Sequence, residues 1–284
     1  MKNDLRRRSR KIKSGIAYFL CALSAILALI PLVLILGYVI FQGAAALNID
    51  FLTQLPKPVG ETGGGMGNAI LGSLILIGIA AVLGLPVGVL AGVYLAEFRN
   101  PRLSWTVRLL ADILSGVPSI IIGVFVYTLL VLTMKRFSAF AGGVSLAILM
   151  LPTVARTTEE MLRMVPDSLR EAALALGIPR WRTIVSIVIK TAGGGIMTGI
   201  MLALARIAGE TAPLLFTALN SRTWPTGLDK PVASLPVQIY TYAIAPYADW
   251  HEQAWAGSLV LVLMVLLLSV GSKLYFGRKM RSVK

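Results

Sequence analysis

The chain has 284 residues, of which 56% are hydrophobic and only 14% are charged. Soluble domains carry about a quarter charged residues, so this composition and a mean hydropathy of +0.79 exclude an ordinary soluble enzyme or DNA-binding protein. A net charge of +14 would suggest nucleic acid binding in a soluble protein, but in so apolar a chain it indicates basic loops beside a membrane. One cysteine (Cys21) and one histidine (His251) exclude a disulfide framework, a Cys/His metal site and a Ser-His-Asp triad.

Six apolar stretches are long enough to cross a bilayer, for which a helix needs about 20 mostly apolar residues. They predict an all-α, polytopic membrane bundle of six transmembrane helices. The longest segment outside them, 156–191, has 36 residues, and chains below about 40 residues rarely fold unaided. We therefore expect one membrane domain with loops. The predicted spans are 16–41, 68–95, 106–134, 139–155, 192–218 and 254–276.

The first stretch follows a basic tail, residues 1–15, and has the charge pattern of a signal peptide. Its 26 residues (16–41) exceed the about 7–15 apolar residues of a signal peptide, so we interpret it as a retained span. With the N-terminus placed in the cytoplasm, 21 of the 27 Lys and Arg residues fall on the cytoplasmic side, five fall outside, and Arg206 remains. This asymmetry follows the positive-inside rule and predicts cytoplasmic termini, including the tail 277–284.

Small residues repeat at a spacing of four in the second and fifth spans. In the second span they are Gly84, Gly88 and Gly92, and in the fifth they are Gly195 and Gly199. Small residues at this spacing let helix backbones approach closely. We favour packing within the chain over a contact between two copies.

Two prolines and a carboxylate lie inside the second and third spans. Pro86 and Pro118 predict kinks there. Asp112 lies about two turns into the third span, four residues after Arg108, and this spacing predicts an ion pair on one helix face. A gating role for Asp112 is the alternative.

The loop 156–191 contains a short, delimited helix. Ser168 and Glu171 have the spacing of a capping box, and Gly177 followed by Pro179 predicts where the helix ends. One face of the helix is apolar at helical spacing: Leu169, Ala172, Ala173 and Leu176. Such a face suits a groove on a partner, and equally the bilayer surface or the chain's own bundle.

The fifth span carries two charged residues near its middle. Arg206 and Glu210 are four residues apart, so they share one helix face, and a charge at that depth is costly unless it faces water or a partner. Gly209 and Pro213 bracket Glu210 and predict a break, and broken helices at mid-membrane often line substrate cavities. Two interpretations stay open: a substrate path, or a structural pair that locks two helices.

The loop 219–253 is rich in tyrosine and tryptophan, which is typical of an interfacial belt. Residues 234–244 predict a short surface or re-entrant helix. The glycine-rich run 63–67 is interpreted as a flexible turn, since no Gly-Lys dipeptide of a Walker loop occurs anywhere in the chain. ATP is therefore expected to be hydrolysed by another subunit.

Several strings resemble a known family. Glu171-Ala172-Ala173, three residues and then Gly177 are similar to the "EAA" loop of inner-membrane permeases of ATP-binding-cassette importers, although Ile189 and Lys190 depart from the Leu-Pro of its second half. Four further strings resemble the phosphate-specific (Pst) importer permeases of the PstA type, and the resemblance runs from about residue 65 to the C-terminus. They are LSGVPSIIIG (114–123), LPTVARTTEEMLRMVP (151–166), ARIAGETAPLLFTA (205–218) and PTGLDKPVASLPVQIY (225–240).

This resemblance implies a type I importer permease in a bacterial inner membrane, with its core over 68–276 after the first span. It implies no enzyme activity and no cofactor or metal, and a helix over Ser168–Gly177 that docks into an ATPase subunit. The implied partners are a PstC-like second permease, two PstB-like ATPases and an external PstS-like phosphate-binding protein, which the 219–253 loop would contact. Membrane lipid is a further implied partner, and no nucleic-acid partner is implied.

The resemblance also implies site residues. Arg206 would face the path and offset the charge of phosphate, for which a guanidinium is well suited; Glu210 would hold Arg206 when the path is empty, and Thr211 would add a hydroxyl. The alternatives are a permease for another oxyanion, the PstC-type paralogue or, from another class, an ion-coupled secondary transporter. A membrane enzyme is disfavoured because none of the predicted spans contains histidine.

Overall fold

The structure is a computed structural model that describes residues 2–61, 63–98 and 100–281, with side chains described from residue 10 to residue 271 within these ranges. All regular secondary structure in these ranges is helical. The predicted cytoplasmic tails 1–15 and 277–284 lie partly outside the described residues, since residues 1 and 282–284 are not among them.

The helices are named here in chain order. A π-helical turn lies inside α5 (Tyr127–Val131) and another inside α8 (Ile184–Val188). The bounds are α1 Lys2–Ala46, α2 Ile49–Thr53, α3 Gly67–Glu97, α4 Pro101–Gly116, α5 Ser119–Met134, α6 Ala139–Arg163, α7 Asp167–Ala175, α8 Arg180–Ala208, α9 Ala212–Thr217, α10 Leu235–Ala243 and α11 Ala248–Arg281.

Five of the described helices are long and apolar enough to cross a membrane by themselves: α1, α3, α6, α8 and α11. The third predicted span, 106–134, is not one continuous helix, because α4 and α5 meet at an angle of 104°. Pro118 explains this bend: it disfavours helical geometry in the residue before it, and Val117 is extended, with φ −75° and ψ 129°. Pro86, by contrast, lies inside the continuous helix α3.

The predicted ends of two other spans also need correction. The predicted span 139–155 is the first part of α6, which continues to Arg163. The predicted span 192–218 begins twelve residues too late, since α8 starts at Arg180, and it contains the break between α8 and α9. In both cases charged residues extend the helix beyond its apolar segment.

The glycine repeats form the centre of the bundle, as predicted. A Cβ atom built on Gly84, Gly88 or Gly92 would lie 2.9, 2.8 or 2.5 Å from side-chain atoms of α6. The contacts advance along both helices together, from Met150 to Thr158, so α3 and α6 run parallel. Glycine at these positions allows backbones to approach where any side chain would clash.

Helix α8 crosses α6 in the opposite direction. Gly195 contacts Met161, and Gly199 contacts Thr157 four residues back along α6, so the two helices are antiparallel. The bundle therefore has one end that carries the loop with α7 and an opposite end that carries α10. These are called the α7 end and the α10 end.

Helix α1 lies against α11 and is otherwise exposed on this chain. A Cβ atom on Gly43 would lie 2.9 Å from Cβ of Leu259, and the rings of Tyr38 and Trp255 meet edge to face at 5.0 Å. None of the most apolar window of α1 is buried within the chain. Its large apolar side chains are thus available to lipid or to another subunit.

Candidate substrate path

Helix α8 ends at Ala208, and the chain leaves helical geometry over Gly209–Thr211 before α9 begins. The amide of Gly209 donates to the carbonyl of Arg206 at 3.3 Å, and that of Glu210 donates to the carbonyl of Ile207 at 3.2 Å. These tighter bonds replace the regular helical ladder, so carbonyl groups of the last helical turn lose their usual donors. The break predicted at Gly209 is therefore confirmed.

Arg206 lies at mid-height in the bundle. The contact of Gly199 with Thr157 sets the register between α8 and α6; seven residues further along α8, Arg206 is level with Met150. Met150 in turn contacts Gly84, which is near the middle of α3. The middle of the bundle thus holds both the helix break and an arginine.

The expected ion pair between Arg206 and Glu210 is not formed. The Arg206 side chain is exposed, that of Glu210 is half-buried, and within the described residues neither makes an ion pair or a side-chain hydrogen bond. The physical reason is that α8 ends two residues before Glu210, so the spacing of four no longer places the two side chains on one helix face. Thr211, the third predicted path residue, is half-buried beside Glu210.

The break in the third span lies close to the break after α8. Helix α5, which begins just after Pro118, packs on α9: a Cβ atom on Gly123 would lie 2.6 Å from Cα of Pro213. Thr217 of α9 is held in turn by Ser145 of α6, with their hydroxyl oxygens 3.5 Å apart. Two interrupted helices therefore meet near the middle of the bundle, where freed backbone groups can line a cavity.

The predicted partner of Asp112 is wrong. Asp112 pairs with Arg156 of α6, while Arg108 donates to Glu159 of α6 from Nε at 3.0 Å and from Nη2 at 2.8 Å. The bend at Pro118 lays α4 against α6, so Arg108 and Asp112 both reach across to that helix instead of pairing with each other. Asp112 thereby links the bent span to the central helix.

The loop helix α7 is present but begins differently from the prediction. It starts at Asp167 after Pro166, and no side chain caps it, so Ser168 does not form the predicted capping box with Glu171. Its end is as predicted: Gly177 has φ +74°, and the amide of Ile178 donates to the carbonyl of Ala173 at 3.1 Å. This is a Schellman motif, which favours glycine at the left-handed position.

Sequence reasoning missed the ion pair that fixes α7 to the bundle. Arg170 binds Glu97 at the end of α3, with Nη2 2.7 Å from Oε1, and also donates to the carbonyls of Leu162 and Val165 at 2.9 and 2.6 Å. The Glu97 side chain is 6% exposed and that of Arg170 is 18% exposed. The only sequence signals were an arginine directly before Glu171 and a glutamate at the end of a span.

Several apolar side chains in and just after α7 are not covered by the described residues of this chain. Ala173 is buried, whereas Leu169, Leu174 and Leu176 are exposed, Leu176 to 80%. Trp181, just after the loop, is 68% exposed. A group of large exposed apolar side chains on a fixed helix marks a protein or membrane contact.

The predicted helix at 234–244 is confirmed as α10. The amide of Leu235 donates to Oγ of Ser73 in α3 at 2.8 Å, and the rings of Tyr242 and Trp250 stack at 4.3 Å. Burial raises the pKa of the Tyr242 phenol, so this phenol stays neutral. The run 63–67 is more constrained than a flexible turn, since a Cβ on Gly65 would clash with the backbone of Phe51.

Comparison with known proteins agrees with this architecture. The family model "binding-protein-dependent transport system inner membrane component" matches residues 84–281. The chain is 47% identical over 271 residues to "Phosphate transport system permease protein PstA" of Yersinia pestis, covering 95% of this chain and 92% of the relative. It is 46% identical to the protein of the same name from Haemophilus influenzae (96% of both chains) and 40% identical to "PstA 1" of Mycobacterium tuberculosis H37Rv (93% and 87%).

Solved structures share the fold. A chain of a bacterial alginate ABC transporter superposes with a TM-score of 0.62 at 15% identity, covering 88% of this chain and 91% of that one. A chain of the MetNI methionine ABC transporter, in an inward-facing conformation, gives a TM-score of 0.58 at 22% identity over 78% and 94% of the two chains. The helical bundle therefore has the fold of these ABC transporter chains.

Proposed function

Because the chain belongs to the binding-protein-dependent transport system inner membrane components and, within them, to the PstA permeases, we propose that it forms half of the membrane path of an ATP-driven importer of inorganic phosphate. Its relatives carry phosphate transport in their names and align with almost the whole chain. The chain is a multi-pass membrane protein and a transport component.

The observation that carries the substrate assignment is Arg206. It is exposed at mid-height beside a helix break, and no group in the described chain neutralises it. A charged side chain inside a membrane bundle marks an ion or substrate path, and a guanidinium matches phosphate oxygens in shape and charge. Glu210 lies in the same break without an ion pair to Arg206, and the Thr211 hydroxyl adds a donor to the site.

Helix α7 is the element that couples this path to ATP hydrolysis. It is anchored to α3 through Arg170 and presents exposed leucines outward, an arrangement that suits docking into a groove on an ATPase subunit. Force applied to α7 reaches Glu97 and hence the central helix pair. In this proposal Glu171, Ala172, Ala173 and Gly177 shape the docking helix, while Ser168 lies in its first turn without capping it.

The same proposal orients the chain and names its partners. The α7 end and both termini face the cytoplasm, where the charge asymmetry of the loops places them. A PstC-like permease completes the path, two PstB-like ATPases supply the energy, and a PstS-like binding protein delivers phosphate at the α10 end. Asp112, through its pair with Arg156, holds the bent span against α6 and acts in gating.

The test is transport by the assembled complex in lipid vesicles, with all partner subunits and ATP. We expect Arg206→Gln to lower phosphate uptake about tenfold or more, since a hydrogen bond to a charged group contributes about 1.5–3 kcal/mol. Arg10→Gln is the matched control, because Arg10 is an exposed arginine in the first part of α1, outside the path and outside the loop 219–253. It should leave uptake unchanged at equal protein level.

The same vesicles separate the competing functions. Phosphate uptake that requires ATP and is not matched by sulfate or molybdate supports the proposal. Preference for another oxyanion would replace phosphate as substrate, and uptake driven by an ion gradient without ATP would indicate a secondary transporter. Near-normal uptake by Arg206→Gln would remove Arg206 from the path while leaving the family assignment intact.

A further inference from the structure

A second basic site lies at the α7 end, far from Arg206. A cavity of about 720 Å³ opens between the end of α3, the start of α4, α7 and the start of α8. Four arginines line it: Arg108, Arg163, Arg170 and Arg180. The carboxylates in or behind it number three, Glu97, Asp167 and Glu159, so the cavity retains a positive charge.

Three of these arginines have unused donors. Arg170 is fully engaged with Glu97, Asp167 and two carbonyls. Arg163, in contrast, uses only Nη2, and Arg108 uses Nε and Nη2, both on Glu159. Arg180 uses Nη2 on the carbonyl of Glu97 and lies 5.4 Å from the centre of the Phe98 ring. The remaining guanidinium N–H groups make no hydrogen bond within the described residues.

Ser104 provides an independent indication of a ligand. It lies in the first turn of α4, lines the cavity and is 6% exposed. Its Oγ has no hydrogen-bond partner in the described structure, although a buried hydroxyl is normally satisfied and its loss of water is costly. The same wall carries the start of α4, at Asn100 and Pro101, and a helix N-terminus favours negative charge.

We propose that this cavity binds a phosphate-type oxyanion on the cytoplasmic side of the protein. Guanidinium groups bind phosphate oxygens through charge-assisted, often paired hydrogen bonds, and the Ser104 hydroxyl donates a further one. The bound anion joins α4 to α8 beside α7, which lines the same cavity. This site goes beyond the proposed transport path. Arg206 lies at mid-height in the bundle, and none of the proposed path residues lines the cavity.

The ligand has two chemical sources, free inorganic phosphate and the phosphate of an anionic lipid headgroup. The assembled transporter, without its external binding protein, is placed in phosphatidylcholine nanodiscs and titrated with inorganic phosphate. A second sample contains phosphatidylglycerol and no free phosphate. Hydrogen–deuterium exchange of residues 100–108 and 180–184 is followed in both. We expect slower exchange in at least one sample, and the sample that shows it identifies the source.

Ser104→Ala is the decisive variant, because the wild-type hydroxyl satisfies no partner and its removal does not disrupt a contact. We expect it to raise the concentration needed for half protection about tenfold, as loss of a hydrogen bond to a charged group does, and Arg163→Gln to do the same. Thr106→Ala, on the same helix but outside the cavity lining, should behave as wild type.

Two results would overturn the site. The first is no slowing of hydrogen–deuterium exchange by either phosphate source, as when the ATPase itself fills the cavity. The second is equal slowing in wild type, Ser104→Ala and Arg163→Gln. Arg206→Gln separates this outcome from a failure of the transport proposal. Protection that survives Arg206→Gln supports a separate site, and protection abolished by it assigns the anion to the path and overturns the proposal.

Discussion

Two regions of this chain differ in whether their charged side chains form ion pairs. At the α7 end, carboxylates are paired with arginines across helices, as in the 2.7 Å contact between Arg170 and Glu97 and the 2.8 Å contact between Arg108 and Glu159. In the middle of the bundle, Arg206 and Glu210 make no such contact within the described residues. In the first region every one of these carboxylates holds two helices together, and in the second the charged groups stay unpaired.

This difference follows from how each region would be used. A helix that transmits force must be attached rigidly, and a buried ion pair with additional backbone hydrogen bonds attaches α7 to α3. A substrate path, by contrast, must offer unsatisfied donors that a passing anion can take up and release. A group that is already paired would have to break that pair before it binds an anion.

The largest effect is expected from Glu97→Ala. The substitution leaves the mostly buried Arg170 with only the exposed Asp167 as a counter-charge, and breaking a buried pair in this way costs about 3–5 kcal/mol. We expect a clear drop in the thermal unfolding midpoint of the assembled transporter and loss of the ATPase on purification. Fluorescence-monitored unfolding and subunit stoichiometry measure both.

Glu210→Ala is the matched control for that substitution. Glu210 makes no ion pair in the described chain, so the unfolding midpoint should stay within error of wild type while phosphate uptake changes. The α7 end, where ion pairs hold helices together, is called the attaching region, and the middle of the bundle around Arg206 is called the path region. Equal losses of stability for Glu97→Ala and Glu210→Ala would contradict this distinction.

A smaller effect is expected at Gly177, which ends α7 in left-handed geometry with φ +74°. Gly177→Ala places a side chain in that conformation at a cost of about 1 kcal/mol. We expect weaker ATPase retention and reduced uptake, with little change in expression. Co-purified ATPase per permease is the measurement.

Gly193→Ala gives the opposite sign and controls for the loss of any glycine. Gly193 lies inside α8 with open space around it, and alanine there stabilises a helix by about 0.5–1 kcal/mol. A Gly177→Ala protein that retains its ATPase as well as Gly193→Ala does would show that the shape of the α7 end does not matter for coupling.

The sequence predicted the features that depend on neighbours along the chain. The six apolar segments, the glycine contacts, the break at Gly209 and the end of α7 at Gly177 follow from local composition and backbone geometry. The pair between Arg170 and Glu97 could not be predicted in this way, because the residues are 73 positions apart. The capping box failed for a local reason: the helix already begins at Asp167, after Pro166, so Ser168 lies inside its first turn and not at the capping position.

The partner of Asp112 was predicted wrongly because the prediction used only the spacing along the chain. A spacing of four made Arg108 the obvious partner on a straight helix. The bend of 104° after α4 instead turns both side chains toward α6. The spacing of two charged residues along a helix therefore predicts an ion pair between them only when no neighbouring helix offers another partner.

The smallest effect on stability is expected from Asp112→Asn, which tests whether exposure or charge decides the cost of breaking a pair. Asp112 and Arg156 have side chains that are 55% and 43% exposed, and pairs this open contribute about 0.2–1 kcal/mol. The unfolding midpoint should therefore fall far less than in Glu97→Ala, although each substitution removes a carboxylate that is paired with an arginine. Uptake should change more than stability, because the pair fixes the bent span against α6. A stability loss as large as that of Glu97→Ala would mean that another subunit covers this pair in the assembled transporter, and α4 would then belong to the attaching region as well.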